Sequence, residues 1–247
     1  MNIIVYGATG HMGRIICDMI DASDANNVIA RVSPELETDA GAGEYKTLDE
    51  YSGGADCLID FSHHSATSEV TSYIIKRRLP SVIATTGQTD AEKELIYRAA
   101  GAAPVFFSAN MSLGIAVLLK LAKQTAAAFP DADIEIVEAH HNRKVDAPSG
   151  TALLLLGAIK EVRNRAYAVF GRSGQSKRSR DEIGMHSLRM GNVVGRHEVI
   201  VCTENETITL THEAHDRKVF ADGALAAVDF ITKMPAGLYS MRELLEQ

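Results

Sequence analysis

Residues 3–13 read IIVYGATGHMG, a short apolar run followed by three glycines spaced three residues apart. The apolar run predicts a buried β-strand, and Arg14 to Ala22 has a helical pattern. Gly7 permits a tight turn out of the strand, Gly10 lets backbone N–H groups approach a pyrophosphate, and Gly13 lets the helix pack close to the sheet. The stretch therefore predicts a dinucleotide-binding turn, with the spacing G-x-x-G-x-x-G in place of G-x-G-x-x-G. A plain strand-to-helix turn is the alternative.

Short apolar strands then alternate with helical patterns up to about residue 111. The predicted strands are Val28–Val32, Cys57–Phe61, Ser81–Ala84 and Val105–Phe107, and the predicted helices are Thr67–Arg78 and Ala91–Ala102. This alternation predicts an α/β fold in which helices cover both faces of a parallel sheet.

The pattern changes after residue 111, which predicts a second, α+β half. Its predicted elements are a helix at Leu113–Phe129, a strand at Asp133–Ala139, a helix at Thr151–Arg163, a β-rich segment at Met185–His215 with a hairpin turn at Asn205–Glu206, and a final helix at Val219–Lys233. The polar stretch Gly171–Gly184 predicts a long loop, and long loops often act as lids or mobile segments. Whether this one is a lid stays open at this point.

Composition argues against several classes of function. The 247 residues are 46% hydrophobic and carry a net charge of -7, which is typical of a globular protein and unfavourable for a nucleic-acid or anionic-membrane partner. The three cysteines lie apart in apolar runs, so we expect reduced, buried thiols and a cytoplasmic location. No basic segment precedes the first strand and no apolar run could cross a bilayer, so neither a signal peptide nor a membrane span is expected.

Two further loops are expected beside the glycine turn. Residues 84–87 (ATTG) follow one predicted strand, and residues 108–111 (SANM) follow another. In open α/β sheets, ligands bind beyond the carboxyl ends of the strands. Residues 60–62 (DFS) end a third strand at the same edge. The alternative for each loop is ordinary turn chemistry, because Gly, Ser, Asn and Asp are common in turns.

Residues 138–152 read EAHHNRKVDAPSGTA and crowd two His, an Arg, a Lys and an Asp at the end of a predicted strand. The Pro-Ser-Gly-Thr turn then opens a helix whose first backbone N–H groups can bind an anion. Lys144 and either His140 or His141 add positive charge or a transferable proton, which predicts a small-carboxylate site beside a proton donor. The alternative is a helix cap followed by a solvated charged loop. No metal is expected, because adjacent histidines diverge on a strand.

This stretch resembles the signature of the 4-hydroxy-tetrahydrodipicolinate reductase family, also called dihydrodipicolinate reductases. The glycine turn, residues 85–87, residues 108–112 and the closing stretch 237–242 (GLYSMR) are similar to it too, so the likeness covers essentially the whole chain. It implies a Rossmann-like cofactor domain of residues 1–111, onto which a C-terminal helix of about 218–247 packs back. A smaller α+β domain of residues 112–217 would bind the substrate and build a homotetramer.

The resemblance also implies an activity and the residues behind it. The activity is reduction of 4-hydroxy-tetrahydrodipicolinate to tetrahydrodipicolinate by NADH or NADPH, in the diaminopimelate route to lysine. His140 is similar to the family's proton donor/acceptor, and Lys144 to a second proton donor. His141, Gly150 and Thr151 resemble substrate contacts. The residues similar to cofactor contacts are Gly7, Ala8, Thr9, Gly10, His11, Met12, Ala84, Thr85, Thr86, Ser108, Ala109, Asn110 and Met111.

A hypothesis for the mechanism follows from these roles. Hydride passes to the conjugated C=C–C=N system of a bound dicarboxylate ring, while Lys144 and the backbone of Gly150 and Thr151 hold a carboxylate. His140 or Lys144 supplies the proton. The other readings are an NAD(P)-sensing Rossmann protein without catalysis and another imino- or amino-acid dehydrogenase. Both explain the glycine turn, and neither requires the ionisable cluster at residues 138–152.

The sequence departs from the family pattern after the second strand. Ser33 and Pro34 stand where the family often has an acidic or basic pair, and Glu35 is the nearest carboxylate. An acidic side chain at this place favours NAD, whereas Arg or Lys favours NADP. Arg14 and Arg31 are the nearest arginines. We therefore expect both cofactors to work, with a modest preference for NADH. A second departure, at residues 142–143 (NR) within the signature, is read as tolerated variation.

Overall fold

A computed structural model describes residues 1–246 of the chain. Twelve strands are found in this range: β1 Asn2–Tyr6, β2 Asn27–Val32, β3 Glu44–Tyr45, β4 Cys57–Asp60, β5 Ser81–Ile83, β6 Pro104–Phe107, β7 Asp133–His140, β8 Tyr167–Phe170, β9 Glu182–Arg189, β10 Gly195–Cys202, β11 Thr207–Ala214 and β12 Gly237–Tyr239. Seven α-helices accompany them: α1 His11–Asp21, α2 Thr67–Arg77, α3 Asp90–Ala100, α4 Leu113–Ala128, α5 Gly150–Lys160, α6 Lys218–Ile231 and α7 Met241–Leu244.

These elements form two compact units. The first unit contains residues 1–112 together with the described residues from 218 onward, and the second contains residues 113–217. The chain therefore leaves the first unit after α3 and β6, builds the second, and returns.

The first unit is a seven-stranded sheet in the order β12-β6-β5-β4-β1-β2-β3, with every neighbouring pair parallel. Strand β4 is buried at all four positions, as expected for a sheet with helices on both faces. Ile4 and Tyr6 pack in one core with Ile74 of α2 and Ile96 of α3. Helices α1 and α6 pack against each other and against strands of the sheet. The predicted Rossmann-like α/β fold is confirmed.

The second unit is a five-stranded sheet in the order β11-β10-β7-β9-β8. Strand β10 is antiparallel to both neighbours, whereas β7, β9 and β8 are mutually parallel. Alternate residues of β7 point to opposite faces, so Ile134 and Ile136 enter a core with Leu155 of α5 and Val199 of β10. The predicted α+β character of this half is confirmed.

Most predicted elements are present with ends shifted by a few residues, and the hairpin turn lies between Cys202 and Thr207. Strands β3, β8 and β12 were not predicted. The predicted loop Gly171–Gly184 is wrong at its end, because Glu182 already begins β9. Within it Arg172 pairs with Glu182 of β9 and Arg178 with Glu135 of β7, which ties the loop to the sheet. Arg180 pairs with Asp131, just before β7.

Two further expectations concern the thiols and the membrane. Cys17 and Cys57 are buried, but Cys202 is only half-buried, so the expectation of three buried thiols is wrong for Cys202. Burial raises the pKa of the Cys17 thiol to about 11. In residues 1–246, none of the helices combines the length and the apolar character needed to span a bilayer.

Candidate active site

The glycine turn has a backbone that only glycine accommodates at two positions. Gly7 has φ +81°, and a Cβ there would lie 2.6 Å from the carbonyl oxygen of Phe61. A Cβ on Gly13 would lie 2.0 Å from the carbonyl oxygen of Gly7. Contacts this short with backbone cannot be relieved by a side-chain rotation. The turn therefore depends on Gly7 for its conformation and on Gly13 for close packing of α1.

The N-terminus of α1 has the features of an anion site. Gly10 is its N-cap residue, no side chain caps the helix, and no acidic residue lies in its first turn. The first backbone N–H groups of a helix have no intrahelical partner and carry partial positive charge. This end of α1, with the glycines before it, fits the pyrophosphate of a dinucleotide.

The sheet brings the other predicted cofactor loops to the same edge. Strands β1, β4, β5 and β6 are parallel neighbours, so the turns after them all lie at their carboxyl ends. The buried Asp60 carboxylate accepts a hydrogen bond from Ser62 N at 2.9 Å, and the Asp60 carbonyl accepts one from Ala84 N at 2.9 Å. Ser108 Oγ donates to Asn110 O at 2.7 Å. Burial raises the pKa of Asp60 despite its hydrogen bonds.

Three residues at the end of β2 that the sequence relates to cofactor choice differ in their exposure and in their partners. Ser33 is buried, and its Oγ lies 2.7 Å from Thr9 Oγ1 of the glycine turn. Glu35 is exposed. Arg31 pairs with Asp21 at 2.5 Å, so this arginine is already engaged within the unit.

In the second unit, the ionisable cluster is organised around Glu138, which is 1% exposed. Its oxygens accept hydrogen bonds from Arg189 at 2.9 and 2.8 Å, from His140 Nδ1 at 2.5 Å and from Ser149 N at 3.2 Å. Burial raises the pKa of Glu138, but the bonds from Arg189 and His140 outweigh burial and bring it to about 2. A stable carboxylate is therefore built into the end of β7.

Of the two predicted proton-transfer residues, His140 contacts this carboxylate, and the positive charge of Lys144 is close enough to His140 to lower its pKa. His140 is buried, and burial lowers its pKa although Glu138 acts to raise it. Lys144 Nζ lies 2.7 Å from Asp146 Oδ1, and this contact lowers the pKa of Asp146. The same unit therefore offers an imidazole with a lowered pKa and a lysine ammonium in the loop before α5.

A second buried histidine, His197 of β10, completes the cluster. Its ring packs edge-on against His140 with 5.1 Å between ring centroids, and its Nε2 lies 3.1 Å from Ser149 Oγ. Ser149 Oγ also accepts from Ala152 N at 3.2 Å, which caps α5. Burial, reinforced by the nearby His140, lowers the pKa of His197 to about 4.

The predicted substrate contacts lie at the same end of this unit. Gly150 and Thr151 form the first turn of α5, and His141 directly follows β7. Burial lowers the pKa of His141, and the positive charge of Arg143 lowers it further.

Within residues 1–246, no group of three or more His, Cys, Asp and Glu side chains is arranged to hold a metal ion.

The sequence pattern does not predict Arg189 and His197 as parts of this site, and it gives Glu138 no role. Arg189 lies 51 positions after Glu138 and His197 lies 59 positions after it, and both reach the signature only through strand pairing, since His140 pairs with Arg189 and Glu138 with His197. One signal was available. In β10, Gly195, His197, Val199 and Val201 share the inward face, and a histidine in such a row is unusual for a core.

Comparison with known proteins identifies the family. A family model described as the dihydrodipicolinate reductase N-terminus matches residues 1–111, and one described as its C-terminus matches residues 114–245. Proteins named 4-hydroxy-tetrahydrodipicolinate reductase are 40% identical over 259 residues in Caldanaerobacter subterraneus (100% of this chain, 99% of the relative) and 40% over 247 residues in Alkaliphilus oremlandii (99% and 98%). The fold also matches a dipicolinate-bound dihydrodipicolinate reductase from a Paenisporosarcina species, with a TM-score of 0.82 and 23% identity over 97% of each chain. This chain belongs to the dihydrodipicolinate reductase family.

Proposed function

We propose that His140 and Lys144 transfer protons in the reaction that this family catalyses, the NAD(P)H-dependent reduction of 4-hydroxy-tetrahydrodipicolinate in the diaminopimelate route to lysine. The observation that carries this assignment is that both side chains lie at the N-terminal end of α5, together with the carboxylate of Glu138, whose acceptor sites are all filled by hydrogen bonds. A non-catalytic NAD(P) sensor needs no such cluster. Family membership likewise argues against another amino-acid dehydrogenase.

The second unit supplies binding groups for a dicarboxylate. The first turn of α5 begins at Gly150, and a carboxylate is stabilised at such a helix end by backbone N–H groups and by the helix dipole. The Lys144 ammonium adds a charge-assisted hydrogen bond, and His141 lies at the end of the neighbouring strand. The dipicolinate bound to the Paenisporosarcina enzyme is a ring dicarboxylate of this kind.

The first unit supplies the cofactor site. The glycine turn and the uncapped N-terminus of α1 would hold the pyrophosphate, and the loops at residues 84–86 and 108–111 would hold the rest of the dinucleotide. When bound, NADH or NADPH supplies hydride to the conjugated C=C–C=N system of the ring. His140 or Lys144 then gives a proton to the electron-rich carbon of the reduced system.

The direct test is a spectrophotometric assay with freshly generated substrate. We expect oxidation of NADH and of NADPH that depends on both the chain and the substrate. Tight cofactor binding without substrate-dependent oxidation would support the sensor reading in its place.

Cofactor choice gives a second measurable expectation. Arg31 is held by Asp21, and the exposed Glu35 would repel a 2′-phosphate, so no arginine of β2 is available to favour NADPH. We expect both cofactors to work, with NADH preferred by less than about 1.4 kcal/mol, or tenfold in kcat/KM. Steady-state kinetics at one ionic strength measures the ratio. A hundredfold preference for NADPH would show that another cation, such as Arg14, binds the phosphate.

We also propose that the chain forms a homotetramer in the cytoplasm, through the second unit. Within that unit, α4 and α5 pack over one face of the sheet, and no described helix of the unit covers the other face. The open face carries half-buried Val137 and Ile200, which a second copy would bury. Sedimentation at micromolar concentration should give the mass of four chains, and Ile200→Arg should lower it. A monomeric wild-type mass would contradict this proposal.

A further inference from the structure

We propose that Glu138 is a positioning residue that holds His140 in a single tautomer, with Nδ1 protonated and Nε2 left to exchange a proton with the substrate. In this arrangement Arg189 holds Glu138. The inference rests on the proposed function, because it assigns to Glu138 a service to the proton-transfer residue His140. The hydrogen bonds of one buried carboxylate, Glu138, carry it.

The acceptor capacity of Glu138 determines which of the atoms around it carry protons. An ionised carboxylate has about four acceptor sites and no donor. The donors around Glu138 are two guanidinium nitrogens of Arg189, the backbone N–H of Ser149 and Nδ1 of His140, and a side-chain hydrogen bond from Ser187 also lowers the pKa of Glu138. With no proton of its own, Glu138 can only accept, so Nδ1 of His140 must carry the proton. In a neutral imidazole the other nitrogen, Nε2, then carries the lone pair, so Nε2 must first take up a proton from solvent, forming the imidazolium, before it can give one to the substrate.

The surroundings of His140 leave that second nitrogen uncommitted. Among residues 1–246, no hydrogen bond engages Nε2 of His140. A Cβ on Gly195 would lie 3.2 Å from this nitrogen, so the missing side chain leaves room beside it. His197 packs edge-on against the ring and fixes its plane from another side. The ring is thus held at Nδ1 and open at Nε2.

Arg189 restricts the orientation of the Glu138 carboxylate. Its two terminal nitrogens bind the two oxygens of Glu138, a bidentate geometry that restricts rotation of the carboxylate. One of these nitrogens also donates to the backbone oxygen of Asp146 at 2.6 Å. Arg189 therefore joins β9 to the end of β7 and to the loop that carries Lys144, and both proton-transfer residues depend on the same guanidinium.

The tautomer can be measured without any activity assay. The chain labelled with ¹⁵N-histidine is titrated, and the nitrogen shifts of His140 are assigned through loss of its signals in His140→Gln. We expect a neutral form with the proton on Nδ1. In Glu138→Gln, the Gln oxygen should face Arg189 and its NH₂ should face Nδ1, which shifts the proton to Nε2. A proton on Nε2 in the wild-type chain would overturn the proposal.

Kinetics separates positioning from mere structural support. Glu138→Gln should lower kcat/KM about 10²-fold or more, as loss of an orienting carboxylate does in other enzymes. Since Glu138 acts to raise the pKa of His140, the pH above which kcat/KM declines should also move to a lower value. Glu138→Asp keeps the charge and should restore the Nδ1–H tautomer and part of the rate. A wild-type pH profile in Glu138→Gln would refute the positioning role.

The chain offers a matched control on the same strand. Glu135 also bridges an arginine and a histidine, Arg178 and His186, but it points to the opposite face of the sheet. Glu135→Gln should leave the His140 tautomer and the pH profile unchanged, with its assembly state checked by sedimentation. If His140→Gln keeps full activity, the proposed function fails. If His140→Gln is inactive while Glu138→Gln behaves as wild type, only the present inference fails.

Discussion

Replacing His140 with Gln and Lys144 with Ala should each reduce kcat by about 10²–10⁴-fold, the usual effect of removing a positioned proton donor or acceptor. Lys144→Ala should in addition raise KM, because the ammonium also binds a carboxylate of the substrate. Steady-state kinetics with freshly generated substrate measures both constants. The two variants should differ in which constant changes: His140→Gln should act mainly on kcat, whereas Lys144→Ala should change both kcat and KM.

Folding controls keep this prediction specific. His140 is buried against His197, so His140→Gln must be shown to unfold at a denaturant concentration close to that of the wild-type chain. Lys160→Ala, an exposed lysine in the last turn of α5, serves as the matched control for loss of a positive charge and should be kinetically silent. Near-native kcat/KM in the His140→Gln, Lys144→Ala double variant would contradict both roles and favour the sensor reading.

The stability of the folded chain should fall by roughly 3 kcal/mol as the pH drops from about 6.5 to about 4, through His197 alone. The pKa of His197 is lowered from 6.5 to about 4 by burial. Between these values the unfolded chain binds a proton that folded His197 does not, so the free energy of unfolding rises with pH across this window. The contribution is fully present above pH 6.5 and is lost by about pH 4.

Denaturant unfolding at several pH values and one protein concentration tests this expectation. His197→Gln keeps a hydrogen-bonding group near Ser149 but does not titrate, so its free energy of unfolding should depend less on pH in this window. His63→Gln, at an exposed position, is the control and should retain the wild-type slope. Equal slopes in the wild-type chain and in His197→Gln would refute the assignment.

Local pattern was sufficient for most of the fold, because regular elements leave periodic signals. The alternation of strands and helices up to residue 111 and the hairpin after Cys202 follow directly from such signals. The strands that were not predicted, β3, β8 and β12, are too short or too exposed to leave such a periodic signal. Strand β12 has three residues and begins with Gly237, whereas β8 is an edge strand with Tyr167 and Phe170 exposed. Their pairing is decided by the neighbouring strand, which short-range periodicity does not report.

The candidate site also has a part that local sequence predicts and a part that only strand pairing brings together. The contiguous signature at residues 138–152 could be found because it crowds ionisable residues ahead of a helix. The partners that give those residues their chemistry could not, since Arg189 and His197 come from strands β9 and β10. Their approach to Glu138 depends on register, and a shift of one residue would turn both side chains to the other face of the sheet. Register is a property of the assembled sheet.

The return of the chain to its first unit sets an order for folding during synthesis. Residues 113–217 form a continuous unit whose contacts are all available once α5 and its five strands have left the ribosome. The first unit instead waits for α6, which packs on β5, and for β12, which pairs with β6 across more than a hundred intervening residues. Contacts of such long sequence separation slow folding. The half that is made first is therefore completed last, and the edge of its sheet at β6 has no strand partner until β12 has been synthesised.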